Sequence, residues 1–173
     1  MAAPSAAESA PAASQAHAGS DNDDPLKRKY FVTRTVIGHG ADGGVVRGIH
    51  NESEEWHALK YLSRGGYGPE REIEALKKVA GHLNIVSLQG AFAPFGRRPQ
   101  WVLAMLEADF TLHAFLQRSR GRLRMSEVVC RSLAGQLLSG IAHIHANGMM
   151  HRDLKPSNIM LSVSSDADAG EDR

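Results

Sequence analysis

Cysteine is nearly absent. Cys130 is the one thiol in 173 residues, which excludes an internal disulfide and suits a reducing intracellular compartment. No apolar run approaches the roughly 20 residues that a membrane-spanning helix requires. The opening MAAPSAAESAPAAS has no charged start leading into an apolar block, and no arginine. Neither a secretory signal nor a mitochondrial presequence is expected there. An excess of one charge is missing too. Twenty Lys and Arg against 19 Asp and Glu leave a formal +1, so bulk electrostatics point neither to nucleic acid nor to an anionic membrane. No Cys or His group has zinc-ligand spacing, and no internal repeat is visible. His143 and His145 are expected to pack or cap a helix, and Cys130 to act as a small apolar helix residue. What remains is an apolar content ordinary for a globular protein, at a length that suits one domain with tails.

Residues 1 to about 25 are rich in Ala, Ser, Pro and Asp. They have no periodic apolar pattern and read as a disordered leader, because they cannot bury enough surface to offset ordering entropy. The closing SVSSDADAGEDR reads as an acidic tail. Between them, Tyr30–Ile37, Val45–Ile49 and Trp56–Leu62 are β-branched and aromatic, as strands should be. PEREIEALKKV, from Pro69 to Val79, starts with Pro, is acidic early and basic late, and predicts a helix. Ile85–Phe92 and Trp101–Leu106 predict two further strands, and TLHAFLQRS a short helix. A long helix opens at Ser126, with Glu127 in its first turn and Leu133, Leu137, Ile141 and Ile144 on one face; Asn147-Gly148 stops it. Strands followed by helices give an α+β fold.

Three motifs carry chemistry. Gly38, Gly40, Gly43 and Val45 fit G-x-G-x-x-G-x-V. Glycines let backbone amides approach phosphate oxygens closely. A dinucleotide fold would place a helix after them, whereas here VVRGI follows, so a strand hairpin is expected. Ala58-Leu59-Lys60 comes fifteen residues after Val45. A strand lysine either faces water or serves as a cation over phosphates, paired with a glutamate of the next helix; Glu70, Glu72 and Glu74 all compete for that place. The third motif is HRDLKPSNIML, His151 to Leu161.

HRDLKPSN matches H-R-D-L-x-x-x-N in full. With the other two motifs in order, the stretch from about Tyr30 to Leu161 resembles the eukaryotic protein kinases. The Lys and Pro of the third motif favour the serine/threonine type. HRDLKPSN and VLAMLEADFTL look most like the cyclin-dependent and mitogen-activated group. The resemblance implies a two-lobe fold with a complete small lobe, an antiparallel sheet plus one helix, and only the first part of the helical large lobe. It implies a small lobe at 26–103, a hinge at 104–110, the start of the large lobe with the catalytic loop at 111–161, and a tail at 162–173. It selects Glu72, through REIEALKKVAGHLNIVSL, as the partner of Lys60. It makes Leu103 the gatekeeper and Ala104, Met105 and Leu106 the adenine-binding hinge. Ile37, Val45, Ala58 and Met160 would sandwich the base, and Asp109 would lie near the ribose. Asp153 would orient the substrate hydroxyl proton, and Lys155 would meet the transferring phosphoryl group. Asn158 would give an oxygen to magnesium, and Arg152 would pair with a phosphorylated activation loop. ATP and magnesium are thus the implied cofactors, and a protein Ser or Thr hydroxyl the substrate. A regulatory partner or chaperone is admitted, nucleic acid and membrane are not, and the location implied is cytoplasmic with the nucleus admitted.

The likeness has departures. Asp42 stands at the tip of the glycine loop, where an aromatic residue is common and where a carboxylate would repel phosphate. The segment between Lys60 and Glu72 is shorter than in cyclin-dependent kinases, and no full cyclin-recognition helix is present. No DFG, activation loop or APE motif follows Leu161. The expectation is therefore a truncated domain, inactive by itself; the rival reading is a non-catalytic remnant that binds a nucleotide or a partner. The apolar face of the long helix would then lack the helices that cover it, which predicts poor solubility.

Overall fold

The structure is a computed structural model, and it describes residues 23–40, 43–62, 68–118 and 125–163. The leader as far as residue 22, Asp42 and the tail from residue 164 lie outside the described residues.

The runs of β-branched and aromatic residues form strands. They are β1 (Tyr30–Gly40), β2 (Gly43–His50), β3 (Trp56–Leu62), β4 (Leu88–Phe92) and β5 (Trp101–Leu106). The sheet is ordered β1-β2-β3-β5-β4, with every neighbouring pair antiparallel. Two short helices border it, α1 (Pro25–Lys29) and α2 (Pro69–Lys78). Alternation along the strands divides their side chains between two faces. Leu59, Val102, Ala104 and Phe92 pack on one face with Tyr30 and with Leu26 of α1. Leu62 and Leu103 pack on the other with Ile73 of α2. Leu26, Leu59, Val102 and Leu103 are fully buried, each contributing about 1.5–3 kcal/mol of transfer free energy.

The structure moves two boundaries. Asp24, inside the stretch read as a leader, is buried. It accepts the Leu26 amide at 3.0 Å and caps α1. It also accepts from Arg98 Nη2 at 2.9 Å and Nε at 3.2 Å. Its partner is 74 residues away, so no local pattern marks it as structural. The strand expected at Ile85–Phe92 begins only at Leu88. Before it the chain turns: the Ile85 amide donates to the His82 carbonyl and the Asn84 amide to His82 Nδ1. Ala104, Met105 and Leu106, the residues that the resemblance makes the hinge, are the last residues of β5, as their strand composition predicts, and pair with Leu59, Ala58 and His57. The connector that leaves the sheet is Glu107 to Asp109.

Beyond it come β6 (Phe110–Thr111), α3 (Leu112–Arg118), α4 (Glu127–Ala146), a 3-10 turn (Pro156–Asn158) and β7 (Met160–Leu161). β6 and β7 pair antiparallel, Phe110 with Leu161 and Thr111 with Met160. Ser126 caps α4 by accepting the Val129 amide, and Asn147 closes its far end. Leu133, Leu137, Ile141 and Ile144 are half-buried, whereas Val128 and Leu138 are exposed. Cys130 is exposed and free, so it does not pack as a small apolar group. The core arrangement is an antiparallel sheet with its helix, followed by a few helices, the α+β two-lobe pattern of a small lobe and the start of a large one.

Candidate active site

The second strand of the glycine hairpin sets the first wall. Gly38 lies opposite Val45, and Gly40 opposite Gly43. A Cβ on Gly43 would stand 1.9 Å from the Tyr61 carbonyl oxygen, and its φ is +145°; only glycine lets the hairpin lie this close to β3. Val45 is opposite Lys60, and Lys60 is opposite Leu103. Ala58 is opposite Met105. These register pairs put Val45, Ala58, Lys60, Leu103 and Met105 on one face of the sheet, the face that α2 covers. Leu106 is displaced by one residue and so turns to the other face. Ile37 is exposed on β1.

Lys60 Nζ meets Glu72 Oε1 at 2.7 Å. Among the three glutamates that compete in sequence, the structure joins Lys60 to Glu72. Both side chains are only partly exposed, and the ammonium is held on the α2 face instead of in water.

The loop from His151 to Asn158 is exposed throughout. Arg152 adopts φ +64°, a left-handed conformation that side-chain-bearing residues seldom take. The Asp153 amide reaches back to His151 Nδ1 at 3.3 Å. Lys155 Nζ lies 2.9 Å from Asp153 Oδ2. Asn158 Nδ2 donates to Oδ2 at 2.9 Å and to the Asp153 carbonyl at 2.8 Å. The Lys155 hydrogen bond, and then that of Asn158, hold the Asp153 carboxyl below the usual carboxylate range. An ionised Asp153 is an acceptor only, suited to receiving or orienting a hydroxyl proton.

Two further candidate residues sit on the connector and on β7. Asp109 Oδ2 accepts the Val163 amide at 2.7 Å, tying the connector to the exit of β7. Met160, on β7, is half-exposed. The turn after α2 rests on α4. His82 stacks on His143 with centroids 4.8 Å apart. Asn84 Nδ2 donates to Gln136 Oε1 at 3.3 Å. A Cβ on Gly140 would stand 2.9 Å from the Asn84 carbonyl oxygen. His143 thus does pack, as its place on the helix suggested. Arg47 and Glu107, which form a forked ion pair beside Ala58, had no sequence signal, since a strand arginine and a loop glutamate each read as solvated.

No three His, Cys, Asp or Glu side chains gather as a metal site among the described residues. Asn158 spends its amide nitrogen on Asp153, which leaves its oxygen as the donor for a cation. One hard protein oxygen fits magnesium, which is commonly held by one or two side chains together with substrate phosphates. Lys60, fixed by Glu72, fits the same polyphosphate.

A sequence profile described as "Protein kinase domain" matches residues 31–168. The chain is 32% identical over 135 residues to "Serine/threonine-protein kinase MAK" of Rattus norvegicus, covering 75% of this chain and 21% of that protein. It is 34% identical to "Mitogen-activated protein kinase 13" of Homo sapiens over 146 residues, covering 81% of this chain and 39% of that one. It is also 34% identical to "Cyclin-dependent kinase 20" of Macaca mulatta over 135 residues, covering 74% of this chain and 53% of that one. The chain thus spans about a fifth to a half of the length of these relatives. With its matched region, its sheet and its HRDLKPSN loop in agreement, the chain belongs to the protein kinase family, serine/threonine type, in the company of the cyclin-dependent and mitogen-activated kinases.

Proposed function

We propose that this chain holds the adenine nucleotide and orients the acceptor hydroxyl in a serine/threonine protein kinase. The observation that carries the reading is the Lys60–Glu72 ion pair. It sets a cation on the sheet face that also bears Val45, Ala58 and Leu103, beneath a hairpin whose Gly43 tolerates no side chain. Val45, Ala58 and Met160 supply apolar contact for a purine, with Ile37 at the mouth and Leu103 closing the rear. The backbone of Met105 and Leu106 faces the base edge, and Asp109 the ribose. When bound, MgATP supplies the transferable phosphoryl group and the charge that the metal neutralises. Lys60 then orients phosphate oxygens, Asn158 offers its oxygen to the metal, Asp153 accepts from the protein hydroxyl, and Lys155 offsets charge near the moving group. A protein Ser or Thr is the acceptor, and a cytoplasmic location, nucleus included, accompanies the reading.

Isothermal titration with MgADP tests the nucleotide site. Wild type is expected to bind, and Lys60→Met to bind at least about tenfold more weakly, a loss of about 1.4 kcal/mol. A wild-type chain that gives no binding heat and no nucleotide-dependent rise in melting midpoint would overturn the reading. Where transfer is followed, Ser and Thr peptides are the expected acceptors; labelling of Tyr alone would contradict the assignment of type.

A further inference from the structure

Arg47 lies on β2 opposite Ala58, two residues on from Val45, so its side chain shares the α2 face at the far end of the same strand. Glu107 is the first residue after β5. The guanidinium reaches over β3 to this carboxylate. Its Nε donates to Oε1 at 2.9 Å and to Oε2 at 2.8 Å, and Nη2 also donates to Oε1. The guanidinium carbon is 5.0 Å from the Trp56 ring centroid, and the Glu107 amide donates to the Trp56 carbonyl at 3.3 Å. From the other side Thr33 Oγ1 donates to the Arg47 carbonyl at 2.6 Å, linking β1 to the same point. The Glu107 side chain is only 12% exposed and that of Arg47 40%, so the carboxylate end of the pair is sheltered while the guanidinium remains partly open to solvent. A planar fork on a carboxylate also fixes direction, which a lysine cannot do.

We propose that Arg47 and Glu107 form a positioning pair that locks the second strand of the glycine hairpin to the connector and so sets the width of the purine end of the nucleotide site. The inference rests on the nucleotide-site reading given above. Ladder hydrogen bonds fix the spacing of β2, β3 and β5 within the sheet, but they leave the twist of the hairpin about β3 soft. Arg47 is where the hairpin strand passes Ala58, and Glu107 is where the chain leaves Leu106. A link between them removes that twist freedom before a nucleotide arrives, so the ordering cost is not charged to binding. Trp56 confines the guanidinium from the flank, with a cation–π contribution.

The test uses MgADP titration, melting curves and amide hydrogen exchange on the chain and five variants. Arg47→Met and Glu107→Gln are each expected to weaken MgADP about tenfold, equivalent to about 1.4 kcal/mol. The two together should cost no more than one alone, because they remove one interaction. The exchange of Arg47 and Glu107 for each other should recover most of the loss. Arg47→Lys, which keeps charge without the fork, should fall between and serves if the exchanged pair does not fold. Amides of 43–50 should exchange faster in the single variants while those of α4 do not. Wild-type affinity in both singles, additive losses, or equal acceleration of exchange in α4 would overturn the proposal. Failure of the wild type itself to bind MgADP would remove the nucleotide-site reading and this inference with it; binding that the variants leave untouched removes this inference alone.

Discussion

Lys60 and Glu72 stand twelve residues apart in the chain, on strand and helix, yet their charged atoms are 2.7 Å apart. The contact joins α2 to the middle of the sheet on the face where Leu103 and Ile73 pack. An ion pair with this degree of exposure contributes little to stability, about 1 kcal/mol or less. Its value lies in placement. Glu72→Gln is therefore expected to leave the melting midpoint within a few degrees of wild type while weakening MgADP measurably. A large fall in melting midpoint with unchanged affinity would show that the pair is a structural strut.

Gly43→Ala is expected to disrupt the hairpin. Its Cβ would overlap the Tyr61 carbonyl, which is backbone and cannot swing aside. Gly38→Ala meets only the Val45 side chain, at an ordinary 3.6 Å, and should be tolerated. Hydrogen exchange across 36–46 checks the contrast: faster exchange in the first variant and little change in the second. Equal protection in both would refute the close approach.

The Asp24–Arg98 pair links α1 to the hairpin after β4, and both side chains are nearly enclosed. Burial acts to raise the Asp24 pKa, but the Arg98 hydrogen bonds, the Leu26 amide and the charges of Arg98 and Lys27 outweigh it and hold the carboxyl below its ordinary value. A lowered folded-state value contributes stability above the unfolded pKa of about 3.9, lost as pH falls through the folded value. Asp24→Ala should cost roughly 3 kcal/mol, since it leaves Arg98 buried without its partner. Arg98 keeps its bond to the Gln100 carbonyl at 2.7 Å, which places the effect at the low end. Urea titration at neutral pH and near pH 3 measures it. The difference between variant and wild type should shrink in acid; a difference that grows there would reverse the sign of the argument.

Lys155→Met should raise the Asp153 pKa toward the ordinary carboxylate value, because the Lys155 hydrogen bond is the largest of the causes that depress it. Asn158→Ala should raise it less. Carbon-13 NMR titration of the Asp153 carboxyl reads both shifts. Since both side chains of the pair are exposed, neither variant should alter global stability appreciably. A downward shift in Lys155→Met would overturn the arrangement of the loop.

The sequence was most legible where a local rule suffices. Trp56–Leu62 and Trp101–Leu106 form strands over the same residues that their composition marks. Ser126 caps the long helix, and Asn147 closes it. It was least legible at contacts between distant residues. Asp24 sits in a polar run with every local sign of a leader, and Arg98 decides otherwise. Ile85 has the composition of a strand, but His82 and Asn84 draw that backbone into a turn against α4.

The chain's local chemistry is therefore set by its sequence alone. Glycine spacing, a lysine in an apolar strand and HRDLKPSN specify the parts of a phosphate-handling site, because each depends on residue type and short spacing. Packing decides which parts meet. Local sequence leaves three glutamates on α2 in competition and only the family likeness selects Glu72; packing of Ile73 against Leu103 and Leu62 turns the helix so that Glu72 meets Lys60. Arg47 and Glu107 are 60 residues apart. Only the antiparallel register of β2, β3 and β5 brings them across Ala58, since the fork forms where strand twist and side-chain reach coincide, and no short-range pattern encodes that distance.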